Sequence, residues 1–234
     1  QNTQKDLIRF SSYWAENSSQ NRNFRELTER TYQLADLAKE TRHFDEVFEH
    51  LNRYKILCLT QVYHTGTRWI NHLIQEQSKD GVPEALKTSP PLGCPVICTK
   101  NLHDLKLYNG DQGIFLKFTA EDSDKIEVKA LFQVEGKYQT FYDQQLINVE
   151  PAHAITVHKS QGSEYEHVAV ILPYEEQNTQ GSRTFTRSLE LQNLEMIYTA
   201  ITRARRSVVI VGSKQVLLGA LQRRLPRLSG LRIL

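Results

Sequence analysis

An α/β fold interrupted by a small β-barrel is what the sequence predicts, and three observations carry that expectation. Continuous β-branched runs such as residues 167–172 (HVAVIL) and 207–211 (SVVIV), bounded by loops and alternating with helical spacing, have the character of buried parallel strands. Between residues 92 and 148 the texture changes to short strands separated by tight turns, as in a small barrel. The 234 residues, 39% hydrophobic and 24% charged, suffice for one large domain or two modest ones with a real core.

The elements follow in order. Residues 1–53 predict a helical lead-in, because Phe24, Leu27, Tyr32, Leu34 and Leu37, then Phe44, Val47, Phe48 and Leu51, recur at steps of three and four among charges. Residues 54–91 open the α/β part with an apolar strand, YKILCLT at 54–60. A helix follows through Trp69, Leu73 and Ile74, and a Gly, Pro, Ser and Lys linker spans 79–91. In the barrel region, strands are expected at 95–99, 113–118, 125–134 and 138–142, with turns at 109–111, 121–124 and 135–137. Residues 149–234 return to α/β: a strand AITV at 154–157, a polar loop, the HVAVIL strand, a helix from about 189 to 205, and the SVVIV strand.

Composition narrows the function. Neither apolar run approaches the ~20 residues of a membrane span, and QNTQKDLIRF is too polar for a secretory leader. Three cysteines without framework spacing predict a reducing, cytoplasmic setting. The chain starts at Gln1 rather than Met, so it is expected to be part of a longer protein. The net charge of +2 hides an asymmetry. No acidic residue follows Glu195, whereas eight basic ones do, leaving 21 basic against 27 acidic residues upstream. A basic tail suits nucleic acid or nucleotide phosphate, or is a solvated cationic face.

Two stretches carry chemistry. The first, TVHKSQGSEY at 156–165, leaves a strand, and in a doubly wound domain such a loop lies at the carboxyl edge where ligands bind. Gly162 lets backbone approach a phosphate, Lys159 and His158 neutralise anions, and Glu164 accepts from a ribose hydroxyl. His158 alone is equally an ordinary surface or packed histidine. The second stretch is YTAITRARR at 198–206. Leu191, Leu194, Tyr198 and Ile201 predict a buried helical stripe, with Arg203 about 200° from Ile201 at ~100° per residue, free to reach a phosphate. Arg205 and Arg206 are alternatively favourable charges at a helix C-terminus.

Other constellations are weaker. The single Gly-Lys, Gly136-Lys137, precedes Tyr138 and has Leu131 where a P-loop needs its first Gly, so it is a turn. Asp45 and Glu46 follow no buried strand and suit a helix surface rather than a magnesium pair. Cys58, Cys94, Cys98 and His103 lack zinc spacing, and no metal site is expected. Ser160 and His158 have no third, orienting group for nucleophilic work. Tyr138, Phe141 and Tyr142 are either base-stacking groups or barrel core.

The two stretches, ITVHKSQGSEYEHVAVILP and MIYTAITRARRSVVIVG, resemble motifs V and VI of superfamily 1 DNA helicases, specifically the RecD family. GCPVICTKNLHDLKLYNGDQGIFL resembles the opening strand pair of that family's small SH3-like barrel, and YKILCLTQVYHTGTRWIN its motif IVa region, so the resemblance covers residues 45 to 215. It implies the second RecA-like domain, of P-loop NTPase type, of an ATP-dependent 5'-to-3' DNA helicase, with the barrel at 92–148 as an insertion. That protein would be the alpha subunit of exodeoxyribonuclease V, acting with RecB and RecC in double-strand-break repair and recombination. The implied roles are Gly162 and Glu164 at the nucleotide, Arg203 as arginine finger on the γ-phosphate, and Thr156 with His158 on single-stranded DNA. Lys159 and Gln161 share the loop, Lys159 expected on the DNA side and Gln161 on the nucleotide side. ATP and Mg²⁺ are the implied cofactors, with the Walker A and magnesium groups outside these residues, so the chain alone is expected to be inactive as an ATPase. A stand-alone RecD-like helicase and a non-catalytic DNA-binding module are the alternatives.

Overall fold

The computed structural model describes residues 19–78, 92–120, 125–173 and 192–224. These residues fall into two compact units, the first within Gln1–Arg53 and Asn71–His153, the second within Tyr54–Ile70 and Ala154–Leu234.

The first unit is built on a mixed sheet. Strands β3 (Pro95–Cys98), β4 (Gln112–Thr119), β5 (Ile126–Val134), β6 (Lys137–Phe141) and β7 (Val149–Pro151) run in the order β6-β5-β4-β3-β7, all antiparallel. Among the described residues no ladder joins β6 to β7. The residues N-terminal to it form helices α1 (Ser19–Glu29) and α2 (Thr41–Leu51), but they are not helical throughout. Strand β1 (Thr31–Gln33) pairs in parallel with β4 at Lys117–Thr119, on the edge that β3 leaves open beyond Ile114. Three residues are too short for a period to register in the sequence, and it is burial that decides: Tyr32 is fully buried, its hydroxyl donating to the Leu27 carbonyl at 2.7 Å.

Strand alternation splits the core into two layers. Ile114, Leu116 and Phe118 of β4, with Leu131, pack against Tyr32, Phe44, Val47 and Leu51 of the lead-in. Phe115 points the other way, among Val96, Cys98, Ala130, Phe132, Val134, Phe141 and Leu146. The strands of 92–148 therefore share a hydrophobic core with the lead-in. Asp45 lies on α2, its carboxylate accepting from the Tyr138 hydroxyl at 2.6 Å, as a helix-surface group would. Phe141 is core, whereas Tyr142 is exposed, with the Lys129 ammonium 4.2 Å from its ring centroid.

The second unit is a four-stranded sheet of order β10-β9-β2-β8, comprising β2 (Tyr54–Cys58), β8 (Ala154–Thr156), β9 (Tyr165–Ile171) and β10 (Ala204–Val211). Every ladder is parallel. Leu57, Cys58, Ile155 and residues 168–172 are buried, as continuous apolar strands covered on both faces require. Helix α3 (Thr67–Ser78) follows β2. Helix α4 (Leu194–Ile201) starts at an Asn193 cap whose side chain accepts from the Met196 N–H at 2.8 Å, and α5 (Lys214–Gln222) at a Ser213 cap that accepts from Val216 at 3.1 Å.

Two expectations about α4 are corrected. It buries Ile197 and Ala200, while Tyr198 and Ile201 of the expected stripe face outward, Tyr198 at 67% exposure. Leu191 lies outside the described residues. The helix also ends at Ile201, and β10 begins at Ala204, so Arg203 stands in a two-residue connection rather than on the helix. The apolar run SVVIV, beginning three positions later at Ser207, concealed the early start, because Arg205 and Arg206 occupy an irregularity in the ladder between Ala204 and Ser207. The linker at 79–91 and the turn at 121–124 lie outside the described residues.

Candidate nucleotide and nucleic-acid site

The polar loop after β8 is the centre of the site, and its two ends lie at opposite edges of the sheet. Thr156 ends β8 level with Cys58 of β2, which is level with Ile171 near the end of β9. Yet the loop must deliver the chain to Tyr165, at the start of parallel β9. Six strand residues separate those levels, roughly 20 Å at the usual rise. The expectation that the whole loop sits at the carboxyl edge is thus corrected: it begins there and crosses to the amino edge.

At the carboxyl edge the backbone winds into turns. The Ser160 N–H donates to the Thr156 carbonyl at 3.1 Å and its hydroxyl to the Val157 carbonyl at 2.7 Å, so Ser160 is a buried strut. The Thr156 side chain is buried and its Oγ1 accepts from the Lys159 N–H at 3.3 Å, which fixes the turn. His158 is exposed and Lys159 half-buried on this turn. The Val157 N–H donates to the Cys58 carbonyl at 3.1 Å, tying the loop to β2.

At the amino edge the second stretch meets the first. Gly162 has φ +85°, a left-handed conformation that disfavours a side chain although a Cβ there would meet no atom within 4 Å. Beyond it, the Arg203 guanidinium donates through Nη1 to the Ser163 carbonyl at 3.1 Å and through Nε to the Thr199 carbonyl at 3.3 Å. The Tyr165 N–H donates to the Arg203 carbonyl at 2.8 Å. Arg205 Nε lies 2.8 Å from the Glu164 carboxylate, both side chains more than half exposed. Among the described residues these bonds engage two of the five N–H groups of Arg203.

The structure thus joins Gly162, Glu164 and Arg203 at one edge and sets Thr156, His158 and Lys159 together at the other, with Gln161 exposed between them. Sequence reasoning missed the pairing of Arg205 with Glu164, which only the parallel register of Ala204 with Tyr165 reveals. It also passed over Lys55, hidden in an apolar strand. That side chain is buried, its ammonium 5.3 Å from the Tyr165 ring centroid, and burial pulls its pKa from 10.5 down to about 8. Burial conversely pushes the Cys58 thiol well above its ordinary value, which makes it unreactive.

The profile of the UvrD-like helicase C-terminal domain matches residues 151–211, which span both stretches. The chain is 34% identical over 187 residues to the RecBCD enzyme subunit RecD of Mycolicibacterium smegmatis, covering 80% of this chain and 30% of that protein. This chain is a relative of RecD. It is 32% identical to the RecD subunit of Mycobacterium tuberculosis over 81% of this chain, again 30% of the relative. The chain therefore spans less than a third of the length of these RecD proteins. A crystal structure of Bacteroides Pif1 bound to single-stranded DNA aligns over 81% of this chain and 51% of its own, at 17% identity and a TM-score of 0.40. No helix among the described residues is long and apolar enough to cross a membrane.

Proposed function

We propose that this chain is the second motor domain of an ATP-dependent DNA helicase that translocates 5' to 3', with an SH3-like barrel inserted between its halves. The bond from Arg203 to the Ser163 carbonyl carries the reading, because it couples the RecD-like stretch around residue 203 to the loop whose other end faces the proposed DNA. The residues fit the two ligands chemically. The exposed backbone at Gly162, the Glu164 carboxylate and the Arg203 guanidinium suit a nucleotide's phosphates and ribose, with Gln161 beside them. His158 and Lys159 suit a phosphate backbone, and the Thr156 hydroxyl, already accepting from Lys159, has its own proton to donate.

ATP supplies the phosphoryl group, and Mg²⁺ neutralises charge on its phosphates. No G-x-x-x-x-G-K-[ST] string occurs in the 234 residues, so the phosphate cradle and the magnesium carboxylate come from another domain, and this chain alone turns over no ATP. Arg203 acts as the finger, adding positive charge as charge shifts during transfer. DNA bound at one end of the 157–164 loop is then sensed at the other, through Ser163 and Gly162. We place this work in the cytoplasm, with RecB and RecC as partners.

The test uses the full-length protein with tailed duplexes. A 5'-tailed duplex should be unwound with ATP and a 3'-tailed one should not. Equal unwinding of both, or none with ATP hydrolysis absent, would remove the helicase reading.

A further inference from the structure

The connection between β2 and α3 and the first turn of α3 turn aromatic side chains outward. Tyr63 is 48% exposed and Trp69 37%. The His64 ring meets Trp69 edge to face, with centroids 4.8 Å apart at 88°. The sheet does not require large apolar groups there, and their exposure is the informative feature.

The loop also presents them on a rigid and costly backbone. Tyr63 has φ +72°, a left-handed conformation that a bulky residue occupies only under constraint. The constraint is a mesh of short bonds. The Gly66 N–H donates to the Tyr63 carbonyl at 2.9 Å, the Thr60 hydroxyl to the Val62 carbonyl at 3.0 Å, the Thr67 N–H to the Thr60 carbonyl at 3.1 Å, and the Arg68 N–H to the Gln61 carbonyl at 3.1 Å. Packing is so close at Gly66 that a Cβ would fall 2.2 Å from the Val62 carbonyl oxygen.

Charge indicates what this surface receives. Residues 59–70, running from the end of β2 into α3, contain no Asp or Glu and hold His64 and Arg68. Residues 157–163, which follow β8, likewise contain no acid and hold His158 and Lys159. Because β2 and β8 are neighbouring parallel strands tied by the Val157–Cys58 bond, the two acid-free loops leave the same sheet edge side by side.

We propose that Tyr63, next in sequence to the His64–Trp69 ring pair, is a platform on which an unpaired base of single-stranded DNA stacks while the adjoining backbone lies on His158 and Lys159. The inference rests on the DNA reading of the latter two residues. Aromatic faces bind any base by stacking, without sequence preference.

The experiment measures binding of the full-length protein to oligo-dT and to an abasic strand of equal length, by fluorescence anisotropy over a salt series. Tyr63→Gly removes the ring while suiting the positive φ, so the loop keeps its form. It should weaken oligo-dT binding about 5- to 150-fold, change abasic binding less than about twofold, and leave the salt slope unaltered, since no phosphate contact is lost. Tyr63→Phe should bind as the wild type. His158→Ala should weaken both strands alike. Equal oligo-dT binding by wild type and Tyr63→Gly, with His158→Ala weakened, would overturn the platform alone. Equal losses on both strands in Tyr63→Gly would overturn it too. Absence of salt-dependent binding by the wild type would overturn both the platform and the DNA reading.

Discussion

Replacing Arg203 by Ala separates two roles that its geometry combines. In the resting protein the guanidinium ties the Ser163 and Thr199 carbonyls with bonds of 3.1 and 3.3 Å. A hydrogen bond to a charged donor contributes about 1.5–3 kcal/mol at best. Arg203 is only part-buried and its released carbonyls can rehydrate, so the loss should total about 1–3 kcal/mol of stability. The finger role is larger, about 10³ to 10⁵ in rate, or on the order of 4–7 kcal/mol of barrier. In the full-length protein, Arg203→Ala should therefore lower kcat at saturating ATP and DNA by that factor, while urea unfolding reports only the smaller tether loss. Arg203→Lys should recover part of the stability by reaching the Ser163 carbonyl, but little rate, because an ammonium lacks the planar fork. The reasoning fails if Arg203→Ala keeps near-wild-type kcat and instead needs far more DNA for half-saturation. That outcome would mean the roles of the two loop ends are exchanged.

Further expectations follow from single residues. Lys55 is buried with its pKa near 8, whereas the unfolded chain keeps that proton up to about 10.5. Between those values the unfolded state binds more protons, so this group lowers stability below pH 8 and ceases to do so as pH approaches 10.5. Lys55→Met should accordingly gain on the order of 1–3 kcal/mol at pH 7, with the gain fading near pH 10.5; a pH-independent gain in urea titrations would contradict this. A Cβ at Gly113 would lie 2.6 Å from the Phe132 ring and 2.8 Å from the Leu131 carbonyl. Gly113→Ala should thus cost about 1–3 kcal/mol or more, and an unchanged urea midpoint would show that the sheet yields there. The Arg205–Glu164 pair is largely solvated, so Arg205→Ala should alter stability by under ~1 kcal/mol. By freeing Glu164 it should shift KM for ATP rather than kcat, and a large kcat loss would assign Arg205 a direct part in the reaction.

How much was legible depended on the length over which a pattern runs. The parallel strands were readable because residues 168–172 are continuously apolar, and the β5–β6 hairpin because Glu135-Gly136 sits between alternating strands. β1 was not, since three residues hold no period and Tyr32 is buried by a strand more than 80 positions away. The stripe of α4 was misplaced because Leu191, Leu194, Tyr198 and Ile201 also satisfy a helical period; which face is buried depends on the sheet below. At the site, residue types were readable one by one, but their division between two edges was not. It arises from the register of β8 and β9 on β2, which no local sequence signal encodes.

The central claim is that one loop meets DNA at its β8 end and nucleotide at its β9 end. It is tested most directly by photocrosslinking the full-length protein and locating the adducts by mass spectrometry. The two probes are an oligonucleotide with photoreactive thymines and an ATP bearing an aryl azide on its γ-phosphate. The oligonucleotide should label residues 156–159 and the ATP probe residues 162–164 and 203, neither being competed away by unlabelled excess of the other ligand. Labelling of residues 162–164 by the oligonucleotide, or of 156–159 by the nucleotide, would contradict it.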